Sequence, residues 1–212
     1  MAHEHHSEYQ DFTDQELIAV YRDGDDAAFD QLIERYVPMV QNFVTRLAGN
    51  LPGDDVLDIV QETFLKAWKN FKKYDDKHLF KTWLLTIARN SLIDMFRKKK
   101  PMLFSSLDRT SADAEDVQDF GSQIPDDQLL PDQVFEQAEL QTKLARLMDD
   151  LSIDARTIIL LHHVDELSLS EVSEVLKKPL NTVKSIYRRA LLQLRKRLSA
   201  PDAPESALNP YK

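Results

Sequence analysis

Between Ser105 and Phe135 the chain carries eight acids (Asp108, Asp113, Glu115, Asp116, Asp119, Asp126, Asp127 and Asp132) against a single cation, Arg109. The same stretch holds Pro125 and Pro131 and keeps no 3.6-residue apolar period. A segment of this kind buries too little apolar surface to offset the entropy of ordering it. No single core can run through it. The pattern divides the chain into a helical domain at residues 1–100, an acidic flexible linker at 101–132, a second helical domain at 133–198 and a Pro-rich tail at 199–212.

Helix is the expected element on both sides of the linker. The 212 residues include only 4 Gly, against 27 Lys+Arg and 36 Asp+Glu, and good helix formers abound. The fold class expected is all-α. With 0 Cys, disulfides and thiolate metal sites are excluded, and a reducing compartment suits the chain. Apolar runs such as "TIILL" fall far short of the ~20 residues of a membrane span, so no membrane insertion is expected. The polar start "MAHEHHSEYQ" is unlike a secretory leader, and a cytoplasmic protein follows. His3, His5 and His6 have the composition to bind a metal, but a frayed polar tail explains them more simply. No metal or other cofactor is expected. Without a P-loop, an HExxH pair or a Gly-rich dinucleotide fingerprint, the chain is not expected to be an enzyme.

In the first domain "TDQE", Thr13 to Glu16, is a capping box that opens a first helix closed by Gly24. Asp25 or Asp26 opens a second, to about Ala48, in which Pro38 predicts a kink. "GNLPGDD" turns into a third helix over about Asp54 to Lys72, and a fourth runs from about Phe80 to Lys99, ending before Pro101. The second domain reads as helices near 133–150, 153–163, 169–177 and 181–198. Ser168 and Glu171 suggest a capping box for the third of these, and "KKPL" makes a tight turn before Asn181, a good N-cap. Two short helices joined by such a turn form a helix-turn-helix pattern.

Charge is segregated on particular helices. Between Lys177 and Arg197 there are eight cations (Lys177, Lys178, Lys184, Arg188, Arg189, Arg195, Lys196 and Arg197) and no acid. Leu180, Val183, Leu191, Leu194 and Leu198 supply the apolar side of that helix. This division suits a recognition helix held in a small core and set against phosphates and base edges, though a solvated basic face has the same composition. The fourth helix of the first domain ends in Arg97, Lys98, Lys99 and Lys100 on a chain of formal net charge -9. With Lys81 and Arg89 these can meet phosphates. Trp83 and the preceding "KKYDDKHLF" can stack on unpaired bases or belong to the core.

The third helix places Leu57, Val60, Phe64, Trp68 and Phe71 on a stripe expected to pack inward. Its other side shows Asp58, Gln61, Glu62, Leu65 and Lys69. Asp58 and Glu62, one turn apart, repel by a few tenths of a kcal/mol in an isolated helix. An acidic face with an outward leucine points to docking on another protein.

Four stretches, "AFDQLIERY", "DIVQETFLKAWKNF", "FKTWLLTIARNSLIDMFR" and "LSLSEVSEVLKKPLNTVKSIYRRALLQLRKRL", taken in this order, resemble signatures of the bacterial extracytoplasmic-function sigma factors, in the sigma-70 superfamily. The resemblance covers about residues 12–198. It implies a dissociable promoter-specificity subunit that binds core RNA polymerase, recognises minus-thirty-five and minus-ten elements and helps melt promoter DNA. Asp58, Gln61, Glu62 and Leu65 are then the residues docking on the coiled coil of the polymerase's largest subunit, with the flap region as a second contact. Lys73, Tyr74, Lys77, His78, Phe80, Trp83 and Asn90 fall on the minus-ten surface, with Arg89, Arg97 and Lys98 on phosphates. Thr182, Lys184, Ser185, Arg188 and Arg189 fall on the minus-thirty-five reader. An anti-sigma factor is the implied regulator. The chain departs from the family pattern at "KKYDDKHL", which lacks a Gly, and at Ile186, where arginine is frequent. A different class, a helix-turn-helix regulator binding duplex operator DNA without polymerase, shares the C-terminal pattern.

The linker fits the sigma reading in length: about 31 residues reach at most roughly 110 Å, and elements some 25 base pairs apart lie about 85 Å apart. Its acidity disfavours DNA binding by the protein alone. Neutralising the eight linker acids is expected to raise the DNA affinity of the polymerase-free protein, measured by fluorescence anisotropy at fixed salt.

Overall fold

The computed structural model describes residues 9–49, 51–105, 146–148 and 150–198, with the backbone alone at 99–105. The eight linker acids, most of the helix expected at 133–150, the tail at 199–212 and the N-terminal histidines lie outside the described residues. The helices are α1 (Asp14–Arg22), α2 (Asp26–Ala48), α3 (Gly53–Asn70), α4 (Phe80–Ser105), α5 (Ile153–His163), α6 (Leu169–Leu176) and α7 (Leu180–Leu198), with a 3-10 turn at Phe71–Lys73. Residues 146–148 are also helical, and no strand occurs among the described residues. The chain divides into two compact units: Ser170–Lys177, carrying α6, groups with the N-terminal helices, and the flanking C-terminal segments form the second.

α1 begins where the capping box predicts. The Thr13 side chain accepts from the Glu16 N–H, and the Glu16 carboxylate accepts from the Thr13 N–H at 2.7 Å. That bond holds the Glu16 carboxyl below its ordinary range. Gly24 follows at φ +105°, a conformation few other residues adopt. Asp25 caps α2 by accepting from the Ala27 N–H at 2.9 Å and also accepts from the Tyr9 hydroxyl at 2.6 Å. Asp14 then ties α1 to α2, accepting from Arg35 at 2.6 Å and from the Tyr36 hydroxyl. Burial, then this bond to Asp14, pushes the Tyr36 phenol well above its ordinary range.

Leu17, Leu32, Val40, Val44, Leu47, Ile59, Leu84, Leu85 and Leu92 are fully buried and form the centre of the N-terminal helices. Two expectations change here. First, α3 turns a different stripe inward. Val56, Ile59, Val60, Thr63, Phe64 and Ala67 are buried, whereas Leu57 and Trp68, expected inside, are 47% and 54% exposed. Thr63 and Ala67 are fully buried, and the Thr63 hydroxyl is satisfied by the Ile59 carbonyl at 2.7 Å. Second, α4 does not stop before Pro101 but continues to Ser105, as α2 continues through Pro38. Each proline removes one backbone N–H from its helix, which both helices accommodate.

In the second unit Ser152 caps α5 by accepting from the Ala155 N–H. Leu151, Ala155 and Ala190 form a small core joined by Met148, Ile159, Ile186 and Leu194. Lys178 pairs with Asp154 at 2.7 Å, and Arg197 with Asp150, pinning both ends of the α7 segment to α5 and the residues before it. α7 starts at Leu180, so Asn181 lies inside its first turn rather than capping it. Pro179 supplies the accepting carbonyl, at 2.9 Å from the Thr182 N–H and 3.1 Å from the Val183 N–H. Proline's fixed φ feeds the chain directly into the helix. Before it, Lys177 at φ +51° makes the reversal that ends α6.

Leu84→Ala is expected to destabilise the protein by about 2–5 kcal/mol and Leu65→Ala by under about 0.5 kcal/mol, read from urea unfolding midpoints.

Candidate polymerase and nucleic-acid interfaces

On α3, at 100° per residue, Leu57, Trp68, Gln61, Leu65, Asp58, Lys69 and Glu62 follow one another around a single outward arc. Leu65 is 55% exposed, and Asp58, Gln61 and Lys69 are exposed as well. The arc borders a hollow walled by Tyr21, Asp26 and Phe29 beside Leu65 and Trp68. Glu62 is half-buried and pairs with Lys66 at 2.9 Å. Lys66 in turn accepts a place between helices: its ammonium lies 3.0 Å from the Ser91 hydroxyl and 3.8 Å from Asp94, both on α4. The four residues expected to dock are brought together here. Leu57 and Trp68 join them, missed because bulky apolar residues were assigned inward.

The second surface rests on an aromatic cluster. Phe71 meets Tyr21 edge-on at 4.6 Å and Phe29 at 5.7 Å, and reaches Trp83 at 6.3 Å. Tyr74 and Phe80 lie 5.2 Å and 5.6 Å from the Trp83 ring, and Tyr36 packs on Phe80 at 5.4 Å. Tyr74 and Phe80 are 7% and 3% exposed, so they form the floor of the site rather than its stacking surface. Trp83 is half-buried and keeps part of its ring toward solvent.

Over that floor runs the loop from Lys73 to Leu79. The Tyr74 hydroxyl donates to the His78 carbonyl at 2.6 Å, closing the loop on itself. Burial raises the Tyr74 phenol above its ordinary range, with the charge of Asp76 a smaller contribution. Asp75 accepts from the Lys77 N–H at 3.1 Å, and Arg22 reaches across from α1 to Asp76. Lys73 and Lys77 remain exposed, as do His78, whose Nδ1 lies 2.9 Å from the Glu174 carboxylate on α6, and Leu79, which sequence reasoning did not single out. No residue of this loop has a positive φ, so its lack of glycine costs nothing conformationally.

Trp83, Asn90 and Arg97 stand seven residues apart on α4, forming a stripe about 21 Å long with Lys98 beside it. Asn90, Arg97 and Lys98 are exposed; Arg89 is half-buried, about 100° away at the edge of the core. Arg97 donates to Asp94 at 3.1 Å, an exposed pair of small net strength that a phosphate can displace.

On α7, Thr182, Lys184, Ser185, Arg188 and Arg189 are all exposed and share the arc opposite buried Val183 and Ala190. Ile186 belongs to the core instead. Tyr187 turns toward α5, where its hydroxyl lies 2.9 Å from His163 Nε2. The three surfaces are thus a carboxylate and apolar arc, a cationic stripe over an aromatic floor, and a basic helix face.

The family model for Sigma-70 region 2 matches residues 32–102, and that for Sigma-70 region 4 matches residues 141–194. The chain is 36% identical over 181 residues to the ECF RNA polymerase sigma factor SigW of Bacillus subtilis, a match covering 85% of this chain and 94% of the relative. The chain belongs to the extracytoplasmic-function sigma factors. This sigma factor is also 30% identical to the ECF RNA polymerase sigma-E factor of Haemophilus influenzae, over 85% of its own length and 93% of the relative's. Its fold matches CnrH, solved in complex with the cytosolic domain of CnrY, with TM-score 0.61 and 25% identity over 90% of this chain and 99% of that one. The sigma factor RpoE of Bartonella quintana, solved with the anti-sigma factor NepR, shares the fold at TM-score 0.59 and 24% identity, covering 81% and 97%.

As a sigma factor the protein is a promoter-specificity subunit of RNA polymerase, acting with the core enzyme on promoter DNA. Among the described residues no helix is long and apolar enough to cross a membrane.

Because the folded-state phenols of Tyr36 and Tyr74 are raised, the unfolded chain loses these protons first as pH rises. Their contribution to stability is complete below about pH 10 and declines above it. Phenolate absorbance of the folded sigma factor is expected to lag that of the urea-unfolded chain, with a smaller lag in Tyr36→Phe.

Proposed function

We propose that residues 1–100 form the domain that docks on core polymerase and opens the minus-ten element, that 101–132 form the connecting tether, and that 133–198 read the minus-thirty-five element. The observation that carries this is the pairing, on α3 and α4, of a carboxylate and apolar arc with a cationic stripe over an aromatic floor.

Asp58, Gln61, Glu62 and Leu65 are the docking residues for the largest subunit's coiled coil. Leu57 and Trp68 widen that contact with apolar area, which concentrates binding energy in a desolvated centre. Basic residues of the partner would face Asp58 and Glu62. On the DNA side, Lys73, Lys77 and His78 approach the displaced strand and Trp83 offers the accessible aromatic edge. Tyr74 and Phe80 hold the floor from below. Asn90 is placed for a base, and Arg97 and Lys98 for successive phosphates, with Arg89 contributing from the helix flank. An extruded base must recover a few kcal/mol of lost pairing, which requires such a floor to be rigid in advance.

Thr182, Lys184, Ser185, Arg188 and Arg189 enter the major groove, and Arg195 and Lys196 follow the backbone. The polymerase flap region receives the same C-terminal domain. An anti-sigma factor is the proposed regulator, covering the α3 arc when transcription is not required. The protein works in the cytoplasm and performs no catalytic chemistry of its own.

The decisive experiment is run-off transcription with purified core polymerase on a promoter library. Asp58→Arg with Glu62→Arg is expected to reduce co-migration with core polymerase at least about a hundredfold while circular dichroism is unchanged. Arg188→Ala is expected to leave polymerase binding intact and to weaken minus-thirty-five discrimination by about 1–3 kcal/mol. Wild-type protein that binds operator DNA tightly alone and never joins polymerase would refute this assignment.

A further inference from the structure

The loop between Phe71 and Phe80 places two carboxylates, Asp75 and Asp76, in the segment proposed to approach DNA. Left facing outward, they would repel phosphates. Asp75 is consumed within the loop, its Oδ1 accepting from the Lys77 N–H at 3.1 Å and its carbonyl from the His78 N–H at 3.1 Å. Asp76 is held from outside the loop. Arg22, in the last turn of α1, donates to its Oδ2 at 2.5 Å. The same guanidinium donates to the Tyr74 carbonyl at 3.3 Å and lies 6.0 Å from the centre of the Phe71 ring. One side chain therefore touches a loop carboxylate, a loop carbonyl and the central ring of the aromatic floor.

We propose that Arg22 is a positioning residue for minus-ten recognition: by gripping Tyr74 and Asp76 it fixes the loop geometry that presents Lys77, His78 and Leu79 to the displaced strand, and so sets which base is accepted. The inference rests on the sigma-factor reading of this loop. Tyr74, through its hydroxyl on the His78 carbonyl, closes the loop from inside, and Arg22 closes it from outside. A planar guanidinium serves two acceptors and a ring face together, which a lysine ammonium does not reproduce. Arg22 and Asp76 are both substantially exposed, at 42% and 59% of their side chains, so the pair adds little to global stability. Its effect is on local conformation, and that separates it from a residue that merely holds the fold.

The test uses the full-length protein with core polymerase on a library randomised across the minus-ten element, read by sequencing the transcripts. Arg22→Gln is expected to flatten base preference at one or two positions by about tenfold, leaving core-polymerase affinity within about twofold and the thermal midpoint nearly unchanged. Asp76→Asn should flatten the same positions, and the double variant should be no worse than Arg22→Gln alone, as for residues acting through one contact. An unchanged preference in Arg22→Gln, additive losses in the double variant, or a loss that tracks equal falls in polymerase affinity and thermal midpoint would each overturn the proposal. Wild-type protein inactive on the whole library overturns the sigma-factor reading as well; an active wild type with an unaffected Arg22→Gln overturns this inference alone.

Discussion

The N-terminal helices depend on the aromatic packing centred on Phe71. This ring ends α3, receives Tyr21 from α1 and Phe29 from α2, and reaches Trp83 on α4. Aromatic pairs of this kind contribute about 0.5–1.5 kcal/mol each beyond their buried area, and their geometry is directional. The consequence is positional. The loop leaving Phe71 begins at a fixed point, Tyr74 and Phe80 are drawn down onto the same cluster, and the residues beside and between them are left to face solvent. A site for an extruded base is better built on such a floor than on a mobile loop, because ordering that loop on binding would subtract from the affinity.

α3 and α4 carry outward surfaces of opposite charge. The outward arc of α3 is acidic with Leu57, Leu65 and Trp68, and the stripe on α4 is cationic with Trp83 and Asn90. A chain of net charge -9 can therefore approach DNA, because the local charge seen by phosphates is set within about 10 Å by neighbouring cations. The same division governs α7, where Thr182, Lys184, Ser185, Arg188 and Arg189 share one exposed arc while Val183 and Ala190 are buried on the other.

Much of this was legible in the residues. The capping box at Thr13 and Glu16, the Asp25 start of α2, the turn before α7 and the basic arc of α7 all follow from local chemistry, and the four ordered signatures pointed to the family. What was misread has a common cause. Residue type at a single position reports hydrophobicity, whereas burial depends on how closely a neighbouring helix approaches. Leu57 and Trp68 looked like core residues and face outward, while the small Thr63 and Ala67 are fully buried in the same helix. Tyr74 and Phe80 were expected on an open surface and are buried, since both rings complete the cluster around Phe71. The glycine-free loop looked like a departure from the family pattern, yet its backbone stays in ordinary φ regions. The continuation of α4 through Pro101 was equally invisible to a rule that ends helices before proline.

Lys66 sits between the two working helices, with Glu62 on one side and Ser91 and Asp94 on the other. A single ammonium shared in this way links the carboxylate of one helix face to that of the next. A substitution that alters Glu62 changes what remains for Asp94, and through Asp94 the company kept by Arg97. The outward arc of α3 and the cationic stripe of α4 are therefore coupled through one ammonium, so a change at the first is felt at the second.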